Sequence, residues 1–342
     1  MSLHKTTIKD IAKELGISVA TVSRALTGSH EVQEETREMV LRKAKELNYR
    51  PNIQARNLLK NRTNIIGVIV PEFVSFFFPE IIIGIQEVAN REDYQVLICQ
   101  SNETSDLERK NIEMLESSRV EGIIVSVTKE SKNEPVFERL LNEQMPLVFI
   151  NRVLPDLIAD KVIIDDRKWA FKAVEHLIKC GYRRIAHLGG NEKLAVSANR
   201  LQGYLDAHRH YGLDVHPNLI MNLGVQQERA SLGVNYLLSL KVKPDAVFCV
   251  NDPVAVGCML ELKKRGLKVP EDIAVVGFSE SPIGRIMELT SVSQPTYEMG
   301  RVAAGKLLEQ IKGNCKPAET VVLDAKLNIR NSSLPVHKRT QK

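Results

Sequence analysis

The sequence predicts an all-α helix-turn-helix domain at the front of the chain, followed by two α/β subdomains, each built on a parallel sheet. Three observations carry this expectation. Short amphipathic helices fill the first 50 residues, and β-branched runs alternate with helix-length stretches from residue 63 onward. Those runs are also too many for one ordinary sheet. A chain of 342 residues with 43% apolar content can bury more than one core.

In TIKDIAKEL (7–15), the apolar residues fall at 8, 11, 12 and 15, the spacing of one helical face. Thr7 is the expected N-cap, with Asp10 in capping-box position, and Gly16 supplies the backbone freedom to end the helix. Ser18 caps a second helix over 19–26, which Thr27-Gly28-Ser29 breaks. A third helix, from about Glu34 to Leu47, closes the bundle with Val40, Leu41, Ala44 and Leu47. With Val22 and Leu26 turned inward, Val19, Ala20, Ser23 and Arg24 face outward. A face kept merely for solubility would carry Lys and Glu there. Small residues instead let a helix approach a DNA groove closely, and Arg24 has the reach and donors for a guanine edge. Thr7, Ser18, Thr21 and Ser23 are hydroxyl donors suited to phosphate.

Charge supports the same reading. Residues 1–62 carry 12 Lys and Arg against 7 Asp and Glu, whereas the other 280 carry 35 of each. A polyanion would be drawn to the first fifth of the chain and not to the rest. Pro51 opens a segment, 52–59, too short for a stable isolated helix, so its order should depend on a partner or DNA.

From residue 63 the β-branched runs are IIGVIVP (65–71), VLICQS (96–101), GIIVSV (122–127), LVFIN (147–151), VIID (162–165), IAHLGG (185–190), AVFCVN (246–251) and IAVVGF (273–278). Ligands of open parallel sheets bind beyond the strand C-termini. Those positions hold Pro71 to Phe77, Asn102, Asn151, Asp165, Gly189-Gly190, Asn251, Ser279 and Glu280. Amide, carboxylate and hydroxyl groups of this kind, with Phe76 or Phe77 as a flat apolar face, suit a hydroxyl-rich ligand. The same Asn and Asp residues also suit helix capping.

Other function classes are disfavoured. No GxSxG, P-loop, HExxH or GxGxxG is present, and Asp165-Asp166 and the eight histidines show no catalytic spacing, so no enzyme is expected. Five cysteines without a CxxC argue against a metal or disulfide role, and no cofactor is expected. The N-terminus lacks the apolar run of a secretory signal, and no run of eighteen apolar residues exists, so a cytoplasmic chain without a membrane partner is expected.

The motifs TIKDIAKELGISVATVSRALTG, LNYRPN, IGVIVP, RVEGIIV, RLQGY, FCVNDPVAVG, VPEDIAVVGF and SVSQP stand in the order and spacing of one family. From residue 6 to about 333 the chain resembles the LacI/GalR family of bacterial regulators. The resemblance implies a helix-turn-helix domain (1–50), a hinge helix and linker (51–62), and a periplasmic-binding-protein-like ligand-sensing and dimerisation domain (63–333), with 334–342 as a disordered tail. The sensor would have one lobe of about 63–164 and 294–324 and another of about 165–293 and 325–333. It further implies a homodimer on a palindromic operator, with Asn52, Ala55 and Leu58 on DNA and Leu58 pushed into the minor groove. A small effector, in many relatives a sugar, would meet Phe76, Phe77, Arg200 and Asn251. Asn151 stands where the family is often acidic. Sugar-responsive relatives usually have Asp directly after VGF, and here Ser279 and Glu280 follow, so another metabolite or a phosphorylated partner protein stays open as the controlling agent.

Overall fold

The computed structural model describes residues 6–27, 31–49, 62–314 and 316–335, and they fall into two compact units that divide after Thr63. Asn52, Ala55 and Leu58 lie outside the described residues, as does the tail from 336.

The first unit is a three-helix bundle of α1 (Ile8–Leu15), α2 (Val19–Thr27) and α3 (Glu34–Glu46). The Asp10 carboxylate accepts from the Thr7 amide at 2.7 Å and from its hydroxyl at 2.8 Å, and Gly16 closes α1 in the left-handed region at φ 64°. The Ser18 hydroxyl accepts from the Thr21 amide at 3.0 Å and starts α2. Ile11, Ala12, Val22, Ala25, Val40 and Ala44 form the small core, with Leu47 and Tyr49 against it. One expectation fails: Leu41 is 49% exposed. Val40 and Ala44 already occupy the inward stripe of α3, and a neighbour only one position from Val40 is turned by about 100° from it.

The second unit contains two six-stranded sheets. In lobe one, β1 (Ile65–Val70), β2 (Gln95–Gln100), β3 (Ile123–Val125), β4 (Leu147–Ile150), β5 (Asp160–Ile164) and β11 (Thr320–Leu323) lie in the order β11-β5-β4-β3-β1-β2, parallel throughout. In lobe two, β6 (Ile185–Gly189), β7 (Ile220–Asn222), β8 (Ala246–Cys249), β9 (Ala274–Phe278), β10 (Thr290–Ser293) and β12 (Lys326–Asn328) lie in the order β12-β10-β9-β8-β6-β7, with only β12 antiparallel. Strands such as IIGVIV and AVVGF are buried almost end to end because helices cover both faces.

Helices α4 (Phe77–Arg91), α5 (Ser105–Ser117) and α6 (Glu134–Asn142) serve lobe one, as does α12 (Thr296–Ile311). Helices α7 (Asp166–Lys179), α8 (Ala195–His210), α9 (Ala230–Ser239), α10 (Asp252–Lys264) and the short α11 (Pro282–Ile286) serve lobe two. The crossing of α4 and α12 requires glycine, because a Cβ on Gly300 would stand 2.0 Å from the Ile81 carbonyl oxygen. The chain passes between lobes three times, between β5 and α7, between β10 and α12, and between β11 and β12. One hydrophobic cluster runs through these passages, from Ile66 and Val68 in lobe one to Val276 and Phe278 in lobe two. No described helix is long and apolar enough to cross a membrane.

Candidate functional site

On α2, Val22 and Ala25 are buried, whereas Val19, Ala20 and Arg24 are exposed and Thr21 and Ser23 half-buried. The helix thus presents small side chains around one arginine. Arg24 Nε lies 3.1 Å from Glu31, and both side chains are more than half exposed, so the pair is weak and easily exchanged for another acceptor. The exposed Ser18 and Thr21 hydroxyls are hydrogen-bonded to each other at 2.8 Å.

The second site lies between the lobes. Three of the loops at the strand C-termini, after β2, β4 and β9, hold non-glycine residues in the left-handed region: Asn102 (48°), Glu103 (57°), Asn151 (61°) and Ser279 (67°). Such conformations are uncommon outside glycine and cluster at working sites. In lobe one, the buried Arg152 lies 2.7 Å from Glu103 and sits over the Phe78 ring, bracing the loop walls. Ser126 and Thr128, just beyond β3, bury hydroxyl oxygens that have no partner among the described residues.

In lobe two, Arg200 is nearly fully buried. Its Nε and Nη2 each lie 2.7 Å from Asp166 Oδ1, its Nη1 donates to the Val250 carbonyl at 2.7 Å, and its guanidinium stacks 3.8 Å over the Phe278 ring. Burial pushes the Asp166 carboxyl up, and Arg200 opposes that. Asn251 caps α10, accepting from the Val254 amide at 3.0 Å while its amide donates to the Val225 carbonyl. Beside it, the buried Asp252 accepts from the Ser281 amide and from the Ser291 hydroxyl, and burial lifts its pKa to about 6.

A pocket of about 240 Å³ opens beside the passages, lined from lobe one by Phe77, Glu80 and Thr296, from lobe two by Ser279, Glu280, Arg285 and Lys326, and by Ser293 and Gln294. Gln294 Nε2 donates to Ser279 Oγ at 2.5 Å, while its buried Oε1 has no partner among the described residues. Glu280 is held by Arg330 and by Asn328; burial raises its carboxyl, but these hydrogen bonds win and leave it below its ordinary value. Away from that pocket, Glu130 of lobe one reaches Asn191 at 3.4 Å and Lys193 at 3.6 Å in lobe two.

The structure therefore gathers Phe77, Ser279 and Glu280 around one pocket, and ties Arg200 to the ends of the two strands that lead to Asn251 and Ser279. Phe76 (55% exposed), Asn102 and Asp165 are not among its lining residues. Asp165 caps α7, accepting from the Lys168 amide, and Asn102 accepts from Gln100. Asn151 is buried in its strand-end loop and lies outside that lining as well. Gln294, Ser126, Thr128 and Arg285 were not singled out from sequence. Gln294 stands in the SVSQP motif, which could have pointed to it.

Two family matches cover nearly the whole chain. Residues 7–52 match the bacterial regulatory proteins of the lacI family, and residues 63–331 match the periplasmic binding proteins and sugar binding domain of the LacI family. The chain is 35% identical over 332 residues to the HTH-type transcriptional repressor CytR of Escherichia coli K12, covering 96% of each chain. A solved transcriptional regulator CelR–cellobiose complex superposes with a TM-score of 0.73 at 28% identity, over 96% of this chain and 100% of that one. The lac repressor dimer bound to operator and an anti-inducer shares the fold at a TM-score of 0.86 and 23% identity, over 96% and 99%. A helix-turn-helix unit joined to a two-lobed ligand-binding unit, matched along its length in this way, belongs to the LacI family of bacterial transcriptional regulators.

Proposed function

We propose that the protein is a repressor that binds a palindromic operator as a homodimer in the cytoplasm and answers to a sugar or sugar derivative held between its lobes. It carries out no catalysis of its own. Val19, Ala20 and Arg24 would read base edges, and Thr7, Ser18, Thr21 and Ser23 would hold phosphates. Asn52, Ala55 and Leu58 would act at the hinge. Phe77, Ser279 and Glu280 would meet the ligand, with Arg200, Asn251 and Asn151 behind them and Phe76, Asn102 and Asp165 at the approach.

The observation that carries this reading is the interlobe pocket, whose wall includes Gln294 with a buried Oε1 that has no partner among the described residues. A buried acceptor without a donor is costly, and a ligand hydroxyl would satisfy it. The CelR relative was solved with cellobiose, which favours a sugar over a partner protein. One recognition helix per chain fits two half-sites related by a two-fold axis, about one helical turn of DNA apart or a multiple of it.

Footprinting of genomic fragments enriched on the protein, with sedimentation of the complex, tests the DNA half. Two symmetric half-sites under a dimer are expected, and a monomer on a single asymmetric site overturns it. A thermal-shift screen of sugars and their derivatives tests the other half, since a ligand that binds only the folded state raises the melting temperature.

A further inference from the structure

The pocket beside the lobe passages carries more information than its position. Four ionisable side chains line it, and two of them are already committed. Glu280 is held by Arg330 and Asn328, and Glu80 accepts from the Thr296 hydroxyl. The other two are not. Arg285 and Lys326 meet no carboxylate and no other acceptor among the described residues, although both border the same cavity. With Glu280 neutralised by Arg330, two cations there face the single carboxylate of Glu80.

A second feature points independently to a ligand. Gln294, in the pocket wall, is 93% buried, its amide nitrogen is fixed on Ser279, and its enclosed Oε1 has no donor among the described residues. That oxygen needs an O–H or N–H. The cations need an anion. The half-buried Phe77 ring on the opposite wall offers an apolar face.

We propose that this pocket takes a hydroxyl-rich small molecule with an anionic end, a sugar phosphate or a sugar acid. A ligand hydroxyl donates to Gln294 Oε1, and the phosphate or carboxylate is held by Arg285 and Lys326. This rests on the reading of the cleft as the effector site and deepens it by fixing the ligand's charge. Arg285 and Lys326 belong to lobe two, Phe77 and Glu80 to lobe one, and Gln294 to the passage between them. A ligand that touches all three has different contacts when the lobes move, which is the condition for shifting their equilibrium.

The test uses the full chain and the double variant R285Q/K326Q. Both side chains are exposed and have no ion-pair partner among the described residues, so their loss is expected to leave the fold intact. Titration calorimetry and thermal shift are run with matched sets of free aldoses, their 6-phosphates, their aldonates and inorganic phosphate. At least one phosphate or aldonate is expected to bind the parent and to lose tenfold or more in the double variant, while its free aldose binds more weakly to the parent. Which of the two anionic sets responds identifies the anionic group. A free aldose that binds parent and double variant equally, with all anions silent, overturns the inference and leaves the cleft reading standing. Silence in every arm overturns both. Inorganic phosphate that binds as tightly as any sugar phosphate overturns the hydroxyl-rich part.

Discussion

Arg200 grips Asp166 with two nitrogens, each 2.7 Å from the same carboxylate oxygen, where the chain has just passed from β5 into lobe two. Every nitrogen of that guanidinium is engaged, and its face covers Phe278. Removing it strands a buried carboxylate. Arg200→Ala is therefore expected to destabilise the second unit by about 3–5 kcal/mol, read as a shift of the denaturation midpoint. A loss of ligand response in that variant would reflect this collapse as much as a lost contact. An Arg200→Ala protein as stable as its parent would show that the pair adds nothing to the fold.

Two buried groups in lobe two work against each other as pH changes. Burial raises Asp252 from 3.8 to about 6, so the folded state holds that proton more tightly than the unfolded chain, and stability falls as pH rises from about 4 to 6. Burial lowers His187 from 6.5 to about 4, so the unfolded chain takes the proton first, and stability is lost as pH falls from 6.5 to about 4. Each shift is worth about 3 kcal/mol. In the parent these two slopes therefore largely cancel between pH 4 and 6. Asp252→Asn keeps one acceptor oxygen for the Ser281 amide, turns an amide N–H toward the Ser291 hydroxyl, which can accept it, and removes one slope, so its stability should drop more steeply than the parent's on acidification through that window. Denaturant melts at half-unit pH steps decide this, and an Asp252→Asn profile with the same slope as the parent's counts against the opposition.

On the recognition helix, Arg24 trades its exposed contact with Glu31 for DNA at little cost. Arg24→Ala should weaken operator binding by roughly 1–3 kcal/mol and relax preference at one position of each half-site. A uniform loss across all sequences would mark Arg24 as a phosphate contact instead.

The hinge adds a separate expectation. Leu58→Ala should lower operator affinity and DNA bending, because an inserted apolar wedge kinks the duplex, while ligand affinity without DNA stays unchanged. A bending-sensitive gel shift measures both effects, and parental bending by the variant would exclude the wedge.

Much of the architecture was legible because its signals are local. Runs such as IIGVIV and AVVGF announce buried parallel strands, and Gly16 and Ser18 mark the turn between α1 and α2. The edge strands β7 and β12 were not legible, since three residues of mixed polarity carry no period. Leu41 was misplaced because an apolar residue beside a helical stripe looks like part of it. The cleft was legible as a set of strand ends but not as a network. Sequence names Arg200 and Glu280 as polar groups near a ligand, yet only the fold shows Asp166, Arg330 and Asn328 already holding them. Likewise, Gln294 acquires meaning from its bond to Ser279, and Arg285 from the pocket that it lines.

Ser279 offers the sharpest test of how the pocket sets ligand charge. Its φ of 67° is a conformation that Asp adopts readily, and its hydroxyl accepts from Gln294, a task a carboxylate also performs. Ser279→Asp should therefore fold normally while placing a negative charge in the pocket shared with Arg285 and Lys326. That carboxylate would compete for the two cations and repel an anionic ligand, while adding an acceptor for neutral hydroxyls. Anionic ligands are expected to lose at least tenfold in affinity, and a neutral polyol to gain. Calorimetry of the variant against the matched neutral and anionic sets reads both directions at once. If Ser279→Asp weakens neutral and anionic ligands equally, the substitution has only damaged the pocket, and charge is not what Ser279 leaves room for.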